Sequence, residues 1–255
     1  MRFGARARRT APTRRRPRVV IVPSVPEADW IAKTRTSYDT VAVSYAAMLG
    51  DALADAPYER GVLGIFAELV RGAGGGPVAD IGCGPGRLTR HLYRQGLDAF
   101  GVDLSPGMIA VARDEHPDLR FEVGSMTALD IAGGTLGGLL AWFCLIHVPD
   151  AEVPGVLAEF RRVLRPGGVA LLAFHAGTGT RHKTDGYGGH PMDVYVHRRT
   201  SGQVAALLRD AGFTVEAELC HYPDAHKEGA FVFARAPLHY RNSLGRVPSP
   251  PRATV

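Results

Sequence analysis

Two carboxylates and three glycines carry the chemistry most easily read from this chain. They lie in Val78-Ala79-Asp80-Ile81-Gly82-Cys83-Gly84-Pro85-Gly86, with Asp103 following 23 residues after Asp80. Glycines at 82, 84 and 86 permit a sharp backbone turn and let a ligand lie against bare peptide, while the helix expected beyond them offers free N–H groups. An acidic side chain at the tip of the next strand can accept both hydroxyls of a ribose. The constellation predicts a nucleoside-containing cofactor at the carboxyl ends of adjacent strands.

The glycine spacing selects the cofactor class. A dinucleotide fingerprint, G-x-G-x-x-G, would put its third glycine at position 87, where this chain has Arg87, and an apolar residue rather than Asp80 usually precedes the first glycine. The D-x-G-x-G-x-G form, followed in register by Gly101-Val102-Asp103-Leu104-Ser105-Pro106-Gly107-Met108, resembles the class I S-adenosylmethionine (SAM)-dependent methyltransferases. The resemblance extends through Leu139 to Pro149, through Phe160 to Gly168 and through Leu208 to Phe213, covering about residues 35 to 236. It implies an α/β fold: a Rossmann-like, doubly wound, seven-stranded, mostly parallel sheet with an antiparallel last strand and helices on both faces.

It also implies roles, residue by residue. Asp80 with Gly82, Cys83, Gly84 and Gly86 would hold the methionine part of SAM, Asp103 the ribose, and Leu104 and Met108 the adenine. Where many relatives have Gly-Asp after the third strand, this chain has Gly124-Ser125, so a hydroxyl replaces a carboxylate, with Met126 beside the ring. Gly137-Gly138 replaces a common Phe-Asp before the fourth strand. SAM carries its own activation, so the protein mainly aligns the reactants, and a base is needed only for a protonated acceptor. His147, in the loop after the fourth strand, is the candidate base, weighed equally against a pocket-shaping role. Cys144 reads as a packing residue. Tyr38, Tyr45, His175 and Tyr195 are candidate acceptor-binding residues.

The elements that would position these groups follow from periodicity. Thr34 to Leu49 reads as a helix with Tyr38 and Tyr45 on one face, and Tyr58 to Val70 as an amphipathic helix using Val62, Ile65, Phe66, Leu69 and Val70. Strands are expected at 77–81, 99–103, 119–123, 139–143, 169–174, 213–219 and 230–234, with Gly133, Gly134, Thr135, Gly137 and Gly138 forming turns before the fourth. Helices are expected over 87–95, from Ser105-Pro106 to Glu115, from an Asp150 cap through Leu164, and from Thr200 or Ser201 to Gly212. Thr178 to His197 reads as a Gly-, His- and aromatic-rich loop able to close over an acceptor. The spacing of His190, Asp193 and His197 suggests a metal too weakly for one to be expected.

With 255 residues, 45% hydrophobic and 22% charged, the chain is long enough for a sizeable core, and Gly plus Pro fall short of a low-complexity composition. Three isolated cysteines, Cys83, Cys144 and Cys220, exclude a disulfide scaffold and suggest a reducing, cytoplasmic compartment. The formal charge is +5, but residues 1–18 hold eight Arg and no acid, so the remainder carries −3. That segment could bind nucleic acid or act as a transit or export signal; no h-region follows it, and it is read as an unstructured leader in an Arg-rich bacterial sequence. Ile131 to Pro149 is uncharged but glycine-rich in its first half, which argues for a buried strand rather than a membrane span.

The expected organisation is a leader over 1–25, one catalytic domain over 26–236 and an unstructured tail over 237–255. Within the domain, residues 26–72 form a helical cap and 77–236 the core. The function expected is methylation of a small molecule, such as a secondary metabolite, yielding S-adenosylhomocysteine, with neither membrane nor nucleic acid as partner. The alternatives are an RNA methyltransferase using the basic leader and a non-catalytic SAM-binding protein.

Overall fold

The computed structural model describes residues 27–224 and 227–238; the expected leader and residues 239–255 of the expected tail lie outside them. In chain order come α1 (Glu27–Leu49), α2 (Pro57–Gly72), β1 (Val78–Ile81), α3 (Arg87–Arg94), β2 (Ala99–Asp103), α4 (Pro106–Glu115) and β3 (Phe121–Val123). They are followed by β4 (Leu136–Trp142), a single 3-10 turn (Leu145–His147), α5 (Val153–Val163), β5 (Leu164–His175), β6 (Thr180–Gly186), β7 (His190–His197), α6 (Ser201–Asp210), β8 (Thr214–Asp224) and β9 (Lys227–Arg235). Among the described residues no helix is long and apolar enough to cross a membrane.

Seven strands form one sheet in the order β3-β2-β1-β4-β5-β9-β8, the strand count that the resemblance implies. β1 to β5 pair in parallel, and β9 runs antiparallel to β5 and β8. The chain leaves β1 first towards β2 and later crosses back to β4, so the carboxyl ends of β1 and β4 flank the topological switch point, where such sheets bind ligands. Alternation along β4 sends Leu139 and Ala141 to the face covered by α5 and α6, and Leu140 and Trp142 to the face covered by α2 and α3. α2 therefore belongs to the sheet's helical layer; α1 packs on α4 and β7 above the strand ends.

Several elements differ from expectation for identifiable reasons. α1 starts at Glu27 and carries Trp30, buried to 6% exposure, so its hydrophobic contacts begin earlier than the Tyr38/Tyr45 stripe. In α2 the buried stripe is Val62, Leu63, Phe66, Ala67 and Val70, whereas Ile65 is half exposed. β4 begins at Leu136, and Gly137 and Gly138 are strand residues rather than turn residues. A Cβ on Gly137 would overlap the carbonyl oxygen of Gly75, and one on Gly138 would lie 2.8 Å from Val70, so the loop after α2 requires the first glycine and α2 itself the second.

Asp150 does not cap α5; Glu152 occupies the N-cap position, its side chain making no capping bond to the helix, and Asp150 pairs with Arg199. α5 ends at Val163 because Leu164 is already extended (ψ 133°) and pairs with Leu136, so β5 takes in Pro166-Gly167-Gly168. Thr178 to His197 is largely the β6–β7 hairpin rather than a loop. Met192, Val194 and Val196 are buried in alternation with Asp193, Tyr195 and His197, a period-2 pattern hidden by the polar residue types between them.

Candidate active site

The floor of the site is the β1–α3 turn. Asp80 is buried at the end of β1; its Oδ2 accepts a 2.7 Å bond from Thr89 Oγ1 of α3, while Oδ1 has no partner. Burial pushes its carboxyl up to about 6. Gly82, Gly84 and Gly86 all adopt left-handed φ (72°, 54° and 83°). At Gly82 the bare backbone also makes room for Cys144, whose Cβ a side chain there would strike. The Cys144 thiol donates to the Ile81 carbonyl at 3.1 Å and is held protonated by burial, as expected of a packing residue.

Asp103, at the end of β2, accepts from the N–H groups of Gly84 and Ser105, both at 2.8 Å, which ties the glycine loop to the neighbouring strand. Burial raises its carboxyl and these bonds oppose the rise. Ser105 caps α4 by accepting from Met108 N (3.0 Å) and donates to Asp39 Oδ1 (2.6 Å), which also accepts from Gly107 N. Asp39 of α1 thus completes the α4 N-terminus across 66 residues, a link no local pattern announces.

His147 closes the turn after β4 and is buried to 7% exposure. Its Nδ1 lies 2.9 Å from the carbonyl of Tyr195, and its Nε2 2.7 Å from the phenol of Tyr38. A carbonyl only accepts, so Nδ1 carries the proton, Nε2 is the free base, and Tyr38 O–H donates to it. Burial lowers the imidazole to about 4, so His147 is neutral at pH 7. Arg199, itself buried, braces this turn through the Leu145 and Val148 carbonyls and Asp150. Phe143 follows β4 at φ 51°, a left-handed aromatic residue whose ring lies 4.7 Å from that of His175.

These parts line one partly open cavity. Its lining includes Gly82, Gly84, Asp103, Leu104, Met108, Ser125 and Met126 together with Trp30, Thr34, Tyr38, Tyr45, Trp142, Phe143 and His147, with Tyr45 close against Gly84. The Ser125 hydroxyl is shared with Thr127 at 2.8 Å. Asp80 and Gly86 support the loop without lining the cavity, and Cys83 is turned away, its sulfur packed against Gly101. Of the candidate acceptor residues, Tyr38 and Tyr45 line the cavity, while His175 is exposed beyond it and Tyr195 contributes its carbonyl, its ring stacking on His182.

Sequence reading missed Trp30, Asp39, Trp142, Phe143 and Arg199 as site residues; Trp142-Phe143 was visible only as strand. Asp193 is engaged by His182 and Lys33, and among the described residues no three His, Cys, Asp or Glu converge as a metal site.

Residues 78–168 match the family model described as a methyltransferase domain. The chain is 38% identical over 96 residues to demethylmenaquinone methyltransferase of Beutenbergia cavernae (38% of this chain, 39% of that protein). It is 34% identical over 102 residues to N-demethylindolmycin N-methyltransferase of Streptomyces griseus (38% and 42%). These matches span less than half the length of each relative. Among solved structures, the Burkholderia thailandensis 1,6-didemethyltoxoflavin-N1-methyltransferase, with bound 1,6-didemethyltoxoflavin and S-adenosylhomocysteine, superposes with a TM-score of 0.66 at 24% identity, covering 86% of this chain and 93% of that one. The motif in register, the strand order around it and the match over residues 78–168 together support a class I SAM-dependent methyltransferase domain in this chain.

Proposed function

We propose that this protein methylates a small molecule of the secondary-metabolite kind, using SAM and releasing S-adenosylhomocysteine. The observation that carries this reading is that one cavity joins the Asp103–glycine-loop floor to an aromatic chamber holding a neutral histidine. The residues fit the cofactor. Asp80 Oδ1 is a buried acceptor with no partner behind the glycine loop, a negative charge beneath the loop that suits an ammonium group held above it. The Asp103 carboxylate has lone pairs beyond the two it gives to backbone, enough for ribose hydroxyls, and Leu104, Met108 and Met126 offer apolar surface to a base. When bound, SAM supplies a methyl group on a sulfonium, an intrinsically good leaving group.

The chain's own residues do the rest. Tyr38, Tyr45, Trp30, Trp142 and Phe143 present flat apolar surface to the acceptor and limit water beside it. No Lys, Arg, Asp or Glu lines that part among the described residues, which suits an uncharged acceptor. Tyr38 is placed to take the acceptor's proton on its phenol oxygen as its own proton passes to His147 Nε2, leaving imidazolium to discharge to water. A base whose conjugate acid lies at about 4 is weak, but an O–H or N–H becomes far more acidic as its atom gains a methyl group. The names N-demethylindolmycin and 1,6-didemethyltoxoflavin support an acceptor of heterocyclic type.

Calorimetric titration with S-adenosylhomocysteine tests the floor. Binding by the wild type, weakened by about 1.5–3 kcal/mol in Asp103→Ala as charge-assisted bonds are lost, is the expected result. Equal affinity in the two proteins removes Asp103 from the site, and no binding by either rejects the cofactor assignment.

A further inference from the structure

His147 sits on a single 3-10 turn, Leu145–His147, that has few bonds of its own. Its main chain contributes His147 N–H to the Cys144 carbonyl and Val148 N–H to the Leu145 carbonyl, both at 3.2 Å. A turn of this kind has poor hydrogen-bond geometry, so a side chain that must be aimed from it needs outside support. That support comes from Arg199, in the short segment between β7 and α6.

The Arg199 side chain is 6% exposed and grips the turn at both ends. Nη1 donates to the Leu145 carbonyl at 3.1 Å and Nη2 to the Val148 carbonyl at 2.6 Å, so the guanidinium bridges the residues on either side of Ile146-His147. Nε donates to Asp150 Oδ1 at 2.8 Å, and that oxygen also lies 2.7 Å from Nη2. Asp150 is 81% exposed, so the buried cation is compensated by main-chain carbonyls and by a carboxylate that keeps its water. Every guanidinium nitrogen is engaged, in a planar fork that a single ammonium cannot reproduce. The same stretch of chain holds the ring itself, because the Tyr195 carbonyl of β7 lies 2.9 Å from His147 Nδ1. Arg199 fixes where the turn lies, and Tyr195 fixes which nitrogen carries the proton.

We propose that Arg199 is a positioning residue for the transfer reaction: by clasping the Leu145 and Val148 carbonyls it holds the His147 ring on the Tyr195 carbonyl, which keeps Nε2 free to take the Tyr38 proton. This rests on the reading given under Proposed function, and the test separates the two. Without the guanidinium the Val148 carbonyl loses its 2.6 Å bond, the turn relaxes, and Nδ1 no longer keeps the proton. ¹⁵N-histidine spectra at pH 7, with the His147 signals identified by His147→Gln, are compared for wild type, Arg199→Met and Arg199→Lys. Methionine keeps an apolar stem in place of the guanidinium, and lysine keeps the charge without the fork. S-adenosylhomocysteine affinity and labelled-methyl transfer into a small-molecule extract are measured on the same proteins, each first shown to melt cooperatively.

The wild type shows the Nδ1–H form of His147. Arg199→Met binds S-adenosylhomocysteine within about twofold of wild type, moves both His147 nitrogen signals towards the averaged positions of a mobile imidazole, and slows transfer about tenfold. Arg199→Lys moves the signals in the same direction and recovers only part of the rate; should Arg199→Met not fold, the lysine variant decides. Unmoved His147 signals in a folded variant overturn the proposal, as does an unchanged transfer rate. If the wild type transfers no methyl group while the signals move as stated, the clasp on His147 stands and the reaction assigned to it falls.

Discussion

At the residue scale, Asp80 has opposite consequences for folding and for binding. Its folded pKa is raised from 3.8 to about 6 by burial, so the stability linked to its protonation is fully present below about 4 and is lost as pH rises through 6. At pH 7 the buried anion costs roughly 1–3 kcal/mol. Asp80→Asn should therefore melt at or above the wild-type temperature at pH 7, lose that advantage near pH 4, and bind S-adenosylhomocysteine more weakly; a clear fall in melting temperature at pH 7 would contradict the assignment. His147 gives a second signature. Because its imidazole sits at about 4 and the neutral form is competent, kcat/KM should hold from pH 8 down to about 5 and fall below that. An acid limb centred near 6.5 would mean a solvated histidine and a different base. Asp80, the glycines and Asp103 were legible because their spacing along the chain is the motif. The partnership of Tyr38 with His147, 109 residues away, was not, and neither was the Tyr195 carbonyl, because a main-chain acceptor leaves no trace in residue types.

At the element scale, strand–turn–helix alternation fixed the parallel half of the sheet, since β1, β2 and β4 are buried runs bounded by glycine and proline. The misreadings cluster where a residue type was taken at face value. Glycines at 137 and 138 were read as turn residues but let the chain before β1 approach β4. Pro166-Gly167-Gly168 was read as a helix stop and lies inside β5. Gly137→Ala forces a methyl group onto the Gly75 carbonyl and should destabilise the protein by about 1–3 kcal/mol in urea unfolding, the range for overpacked sites. A variant as stable as wild type would show that the loop after α2 yields freely.

At the scale of the whole molecule, a sheet sandwiched by α2 and α3 on one face and α5 and α6 on the other supplies the floor, while α1 and the hairpin supply the roof. The floor was legible and the roof only partly so. Tyr38 and Tyr45 pointed to a wall, but the hairpin's alternation is masked by Gly, His and charged residues facing outwards. Under the proposed function, the floor takes SAM and the roof takes the acceptor. The most direct test of that account is to incubate the purified protein with methyl-labelled SAM and an extract of its source organism, then separate small molecules, RNA and protein. Label in the small-molecule fraction, absent with Asp103→Ala, is the expected result; label confined to RNA or protein, or no transfer by a protein that binds S-adenosylhomocysteine, would contradict it.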